Sequence, residues 1–320
     1  MADYEVTLGS DVYEFDAFAD AIAKAQELGS DAVLTVYALP TEDLYTCGVT
    51  TVFDYDGEDT ARSIFNGNSA SPGVASATIT FQHGGIGNLQ GTGRGNYGTV
   101  TINMEGGYAK YIYGVAYGTN AENVIVNFSG GSTTYIIAGG NSTNVGTATV
   151  NITGGRADNV CAGRVVGGTI GLVSINMSDG FAGIHAGASM ADKTLNAPVE
   201  VTVSGGTLNY FYTTFNKSEH IGAVSLTMTG GTATGGICGG SRVAGGTQQG
   251  DVTLSFSGSS YLTKDVIGGG YGTTTGNVTL NFSDNVYVAG RVFGQCGHNA
   301  AADGEEVNGN VTFSCPSECA

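Results

Sequence analysis

Short runs in which apolar and polar residues alternate recur along most of this chain. One copy reads Val124-Ile125-Val126-Asn127-Phe128-Ser129-Gly130-Gly131. Val124, Val126 and Phe128 fall on one side and Ile125 and Asn127 on the other, the period-two signature of a strand with one buried face. The glycine pair supplies the positive φ of a tight corner. A second short strand follows, Tyr135-Ile136-Ile137-Ala138, ended by Gly139-Gly140, and the variable stretch Asn141 to Thr147 returns to the next copy. Runs of this kind are centred on Ile102, Val126, Val150, Ile175, Val201, Leu226, Leu254, Leu280 and Phe313, with Ala77 to Phe81 as an earlier copy centred on Ile79. The centres follow one another at a near-constant step, which widens clearly only before Phe313.

A period of about 25 residues means that one unit cannot bury its own apolar face and must stack on the next. Two or three short strands per turn, with glycine corners, predict an all-β right-handed parallel β-helix solenoid of about ten rungs. Period-two patterning and 54 glycines in 320 residues exclude a helical repeat. A propeller blade needs about 40–45 residues. The second strand gives the cleaner column: Ile112, Ile136, Val160, Ile184, Phe211, Ile237, Val266 and Val292 are predicted to point inward. Two residues on, each turn carries Gly, Ala or Thr, as a narrow core requires.

The beginning differs from the ladder. Half of the 28 acidic residues lie between Met1 and Thr60, against a single basic residue (Lys24) and only four of the 54 glycines. Residues 1–47 are therefore predicted to be an α/β cap and 48–320 the β-helix. Residues 16–28 pattern as an amphipathic helix, with Phe18, Ala21, Ile22 and Ala25 on one face and Gly29 as its stop. Residues 32–37 read as a strand. Such a cap covers the open end of an apolar column and blocks edge-to-edge pairing.

Charge narrows the partners. A net charge of −17 with only 11 Lys and Arg argues against nucleic acid and anionic membranes. No apolar run reaches the roughly 18 residues that a spanning helix needs, so no membrane insertion is expected. No signal peptide precedes Tyr4. The Gly-, Thr-, Ser- and Asn-rich repeat still points to an extracellular or cell-surface protein whose leader has been removed. Cys315 to Ala320 reads as a cut end, so a monomer or a part of a longer solenoid is expected. Cys161 and Cys238 share a column three turns apart, about 14 Å at the usual strand spacing and too far for a disulfide. Cys315 and Cys319 are close enough in sequence to pair, while Cys47 and Cys296 have no evident partner.

Several residue sets invite a functional reading. The outward columns of the second strand carry Tyr111, Tyr113, Tyr135, Tyr210 and Tyr212, and rings aligned on a sheet offer flat apolar faces with polar tips. These five are the candidate ligand-binding residues, for a glycan or a surface-protein ligand. The competing expectation is that the rings only stabilise the sheet or lie under a loop. The outward positions of the first strand form a Thr/Ser/Asn plane, including Asn103, Asn127, Asn151, Asn176 and Asn281, interrupted by Ile125 and Glu200. An ordinary solvent face with stacked hydrogen bonds explains it better than a lattice-matching surface.

Catalytic candidates are sparse: Asp265 with Arg291, Asp158 with Asp179, Cys161 beside His185, and charged loop residues (Asp192, Lys193, Lys217, Glu219, His220, His298, Asp303, Glu305 and Glu306). None supplies a facing carboxylate pair or an oriented nucleophile. Asp54-Tyr55-Asp56-Gly57-Glu58-Asp59 lacks the spacing of a calcium loop. No catalytic residue, metal ligand or cofactor is assigned.

The unit running from Ser129-Gly130-Gly131 to Ala138-Gly139-Gly140 resembles the β-helical stalk repeats of large bacterial surface adhesin-like proteins. The Phe18, Ala21, Ile22, Ala25 helix followed by Val33-Leu34-Thr35-Val36 resembles the cap that opens pectate-lyase-like β-helices. Together these cover most of the chain. The resemblance implies adhesion or scaffolding on a bacterial surface, with carbohydrate bound on the aromatic strip. The alternatives are a polysaccharide lyase or glycoside hydrolase built on the 190–220 and 295–306 loops, and a passive stalk.

Overall fold

The computed structural model describes residues 2–40, 43–67, 75–93, 95–115, 119–140, 144–163, 169–188, 194–214, 217–243, 245–283, 285–294 and 309–315. Several sequence candidates lie outside them: Asp192, Lys193, His298, Asp303, Glu305, Glu306, Cys296 and Cys319. The fold is a parallel β-solenoid of about nine turns, as the repeat predicts, with 64% of the described residues in strands.

The first-strand column runs in unbroken parallel register. Leu34 pairs with Thr51, and Thr51 with Ile79. The ladder continues through Ile102, Val126, Val150, Ile175, Val201, Leu226, Leu254, Leu280 and Phe313. From Ile79 onward these are the centres that the alternation marks. The second column also holds, with Ile64, Leu89, Ile112, Ile136, Val160, Ile184, Phe211, Ile237, Val266 and Val292 stacked in turn. Members of both columns are buried except toward the last turn, where Val292 and Phe313 are exposed. Each interior turn thus buries its inward side chains against the turns above and below, and burial of a Val, Leu or Ile contributes about 1.5–3 kcal/mol.

The corners follow from stacking as well as from φ. Gly131 sits at φ 72°, and a Cβ there would lie 2.5 Å from the carbonyl oxygen of Gly107 in the rung before it. Gly107, Gly155, Gly180, Gly206 and Gly231 repeat the conformation on other turns. A third, shorter sheet closes the later turns, with Thr194–Asn196, Glu219–Ile221, Thr247–Gln249 and Thr273–Thr274 in parallel. Its inward column is Leu195, His220, Gln248 and Thr274, all fully buried. The polar members bond one another or the backbone: His220 Nδ1 lies 2.7 Å from Gln248 Oε1, and Gln248 Nε2 donates to the Gly222 carbonyl at 2.9 Å.

The N-terminal end is more elaborate than a helix and a strand. Strands β1 (Tyr4–Leu8) and β2 (Asp11–Phe15) form an antiparallel hairpin. Helix α1 spans Phe18–Leu28 and strand β3 Val33–Val36. The helix starts two residues later than its polar pattern predicts because Ala17 is extended (φ −123°, ψ 128°). It ends as expected at Gly29, whose N–H donates to the Ala25 carbonyl at φ 96°. Ala21, Ile22 and Ala25 are its buried face, and Phe18 meets Tyr4 edge-on at 5.5 Å. β1 pairs antiparallel with β3, which pairs parallel with the first long strand, Thr50–Phe65. The outermost strand is therefore β2, in which Asp11 and Glu14 are exposed, and charges on an edge discourage further strand addition.

Candidate functional site

The two outward columns of the second strand take the places that the alternation assigns them. One carries Asn88, Tyr111, Tyr135 and Asn159 on successive rungs, with Gly183 paired to Tyr210 farther along. The other carries Gln90, Tyr113, Ile137, Cys161, His185, Tyr212, Cys238, Ile267 and Phe293. Outward does not mean exposed. Ile137, Cys161, His185, Cys238 and Ile267 are all buried, and the five tyrosines are half-buried. In this second column the rings rise from a buried floor.

The rings stack. Tyr111 lies 5.6 Å from Tyr135 and 5.9 Å from Tyr113, with interplanar angles of 16° and 23°. Tyr210 and Tyr212 stack at 5.1 Å and 18°. Between these groups the column holds Asn159 and Gly183, which looks like a gap in the sequence. Tyr210 closes it. A Cβ on Gly183 would lie 2.3 Å from Tyr210 Cζ and 2.6 Å from its hydroxyl, so the ring lies back over the glycine. Its phenol reaches the Asp158 carbonyl oxygen (3.2 Å) and the Asn159 side-chain oxygen, and can donate to one of them. His185 Nε2 is 3.2 Å from the same hydroxyl. Tyr210 thus reaches back across the Gly183 rung to Asn159, the rung next to Tyr135.

Electrostatics agree with this packing. Burial, with smaller contributions from Cys161 and neighbouring tyrosines, raises the phenol pKa values of Tyr135 and Tyr210. Burial also raises Tyr212, against the opposing pull of the Arg242 guanidinium. His185 is lowered to about 4 by burial and then by Arg242, so it is neutral at neutral pH. Its Nε2 faces Asn159 and Tyr210. Cys161 and His185 are register neighbours, as their spacing predicts, and both are buried in the floor of the strip.

A second glycine in the first column behaves differently. A Cβ on Gly236 would meet only the Asp265 carbonyl oxygen, at 3.8 Å. The space stays open as a cleft of about 460 Å³ at the end of the strip, walled by Tyr212, Arg242, Lys264, Asp265 and Tyr271. Arg242 lies over the Tyr212 ring with Cζ 5.2 Å from its centre. Asp265 is held by Arg291 of the next rung, with Nη2 to Oδ2 at 2.8 Å and the Arg291 N–H to Oδ1 at 2.8 Å. Sequence reasoning had Asp265 and Arg291 but missed Arg242, Lys264 and Tyr271, which lie outside the repeating columns. The one available signal was glycine at position 236, between an aromatic and a charged rung.

The remaining candidates are absorbed by the fold. Asn103, Asn127, Asn151 and Asn176 form an amide ladder, each Nδ2 donating to the rung before it at 2.9–3.1 Å. Those amides are engaged in hydrogen bonds along the ladder, as an ordinary solvent face with stacked hydrogen bonds predicts. Asp158 pairs with Arg156 at 2.8 Å, and Asp179 accepts from the Gly180 N–H, so the two do not face a common substrate position. Glu219 accepts from Thr194 and from Gln249. Asp54 contacts His83 Nδ1 at 2.5 Å. Among the described residues no group of three or more His, Cys, Asp or Glu could hold a metal, and no helix is long and apolar enough to cross a membrane.

Comparison with family models, with curated proteins and with solved structures gives no match for this chain.

Proposed function

We propose that this chain is a glycan-binding β-solenoid that serves adhesion or scaffolding on a bacterial surface. One observation carries the reading: Tyr111, Tyr113 and Tyr135 stack as one group and Tyr210 and Tyr212 as a second on the same face, with Tyr210 reaching back over Gly183 to Asn159 and Tyr212 bordering an open cleft. Ring faces on a rigid sheet suit the apolar faces of sugar rings, and the cleft supplies polar groups beside them. The scaffold favours binding over turnover, because the carboxylates near the strip are tied into ion pairs or backbone bonds and offer no facing pair.

The test is retention on immobilised plant, mucin and microbial glycans. Tyr111, Tyr113, Tyr135 and Tyr212 are replaced by Ala, and Tyr210 by Phe so that its ring still covers Gly183. Selective retention by the parent chain, lost in the variant while its circular dichroism is kept, is the expected result. Equal retention by both chains would remove the strip as the binding face.

A further inference from the structure

The cleft beside Tyr212 has a charge character opposite to that of the molecule. The chain carries −17 overall with 11 basic residues, yet Arg242, Lys264 and Arg291 gather around this one opening. The lining carboxylate, Asp265, is engaged by Arg291, so its charge is offset within the wall. Arg242 and Lys264 then leave the cleft net positive. The position of Arg242 is built rather than incidental. Its backbone N–H donates to the Thr214 carbonyl, and the preceding Ser241 accepts from the Tyr271 N–H at 2.7 Å. Ser241 also pairs with Gly270 across the rungs, which brings the Arg242 and Tyr271 segments side by side. The guanidinium lies over Tyr212 at the cleft wall, and a guanidinium recognises an oxyanion by bidentate contact. The bare backbone at Gly236 gives a group entering the cleft room to approach.

We infer that this cleft holds an anionic substituent, a sulfate or a carboxylate, of a glycan whose neutral rings lie on the tyrosine strip. The inference rests on the glycan reading above and adds the charge class of the ligand and the residues that select it. Arg242 and Lys264 contact the anion, Arg291 keeps Asp265 from repelling it, and Tyr212 and Tyr271 flank the sugar ring that carries it.

Three matrices with one backbone test this: dextran, dextran sulfate and carboxymethyl dextran. The full chain is compared with Arg242→Gln, Lys264→Gln and Arg242→Lys, and with Tyr111, Tyr113 and Tyr135 replaced by Ala. The expected result is retention on a charged matrix well above that on dextran, weakened about ten-fold or more by each Gln variant. Arg242→Lys should recover part of that loss, and retention should fall with added salt. Retention on dextran sulfate alone, or on carboxymethyl dextran alone, identifies the substituent. Equal retention on all three matrices, or charged-matrix retention that ignores both Gln variants, overturns the inference. Tyr-dependent retention on dextran alone sinks the inference and keeps the glycan reading. Charged retention that needs Arg242 but not the three tyrosines keeps the anion-binding cleft and overturns the placement of the glycan's rings on the strip. No retention on any matrix sinks both.

Discussion

Gly183→Ala tests whether the aromatic strip is held together as described. Gly183 does not need a positive φ, and in open space such a change stabilises by about 0.4–1 kcal/mol through the unfolded chain. Here the new methyl would lie 2.3 Å from Tyr210 Cζ and 2.7 Å from the Asp158 carbonyl oxygen. Overpacking of this kind costs about 1–3 kcal/mol. The ring must also lift, which removes the phenol's hydrogen bond to Asn159 or Asp158, about 1 kcal/mol more. Less the gain through the unfolded chain, the expected net destabilisation is about 1–3.5 kcal/mol. Urea unfolding followed by far-ultraviolet circular dichroism is the assay, since the chain has no tryptophan. A double-mutant cycle with Tyr210→Ala isolates the contact. In that background the cost of Gly183→Ala should shrink but not vanish, because the Asp158 carbonyl remains. Equal costs in the two backgrounds would refute the account of Tyr210 lying over the glycine.

Two further predictions concern the floor of the strip. His185 has a folded pKa of about 4 against an ordinary 6.5, so the unfolded chain binds its proton first as pH falls. The stabilisation is complete above pH 6.5 and lost between 6.5 and 4, about 3 kcal/mol in all. Unfolding midpoints at pH 7.5 and pH 4.5 should therefore differ less in His185→Asn than in the parent; an unchanged difference would show that His185 does not titrate in this way. Burial pushes the Cys238 thiol up to about 12, and Cys161 is equally buried, whereas Cys315 is exposed. Iodoacetamide at pH 8 should modify Cys315 in the folded chain and reach Cys238 only in urea, as read by peptide mass spectrometry. Native labelling of Cys238 at the rate of Cys315 would contradict the buried second column.

The parallel ladder was readable from the alternation of apolar and polar residues alone. An inward column that reads Ile112, Ile136, Val160, Ile184, Phe211 and Ile237 at a near-constant step has one low-energy arrangement, with each turn buried by its neighbours. A one-residue slip would turn that column to solvent, so register and the two outward tyrosine columns were legible too. The tertiary structure alone decided what those columns became. Periodicity says which way a side chain leaves the sheet and nothing about the rotamer it then takes, so it could not show Tyr210 folding back over Gly183 while Gly236 stays open. It also could not show that Cys161 and His185 are buried beneath their surroundings, or that Arg242 and Tyr271 are brought to the cleft by non-repeating segments. The β1–β2 hairpin escaped for a related reason. Its edge strand, Asp11–Phe15, has no buried residue to mark an inward face, and its pairing is set by the strand it lies against.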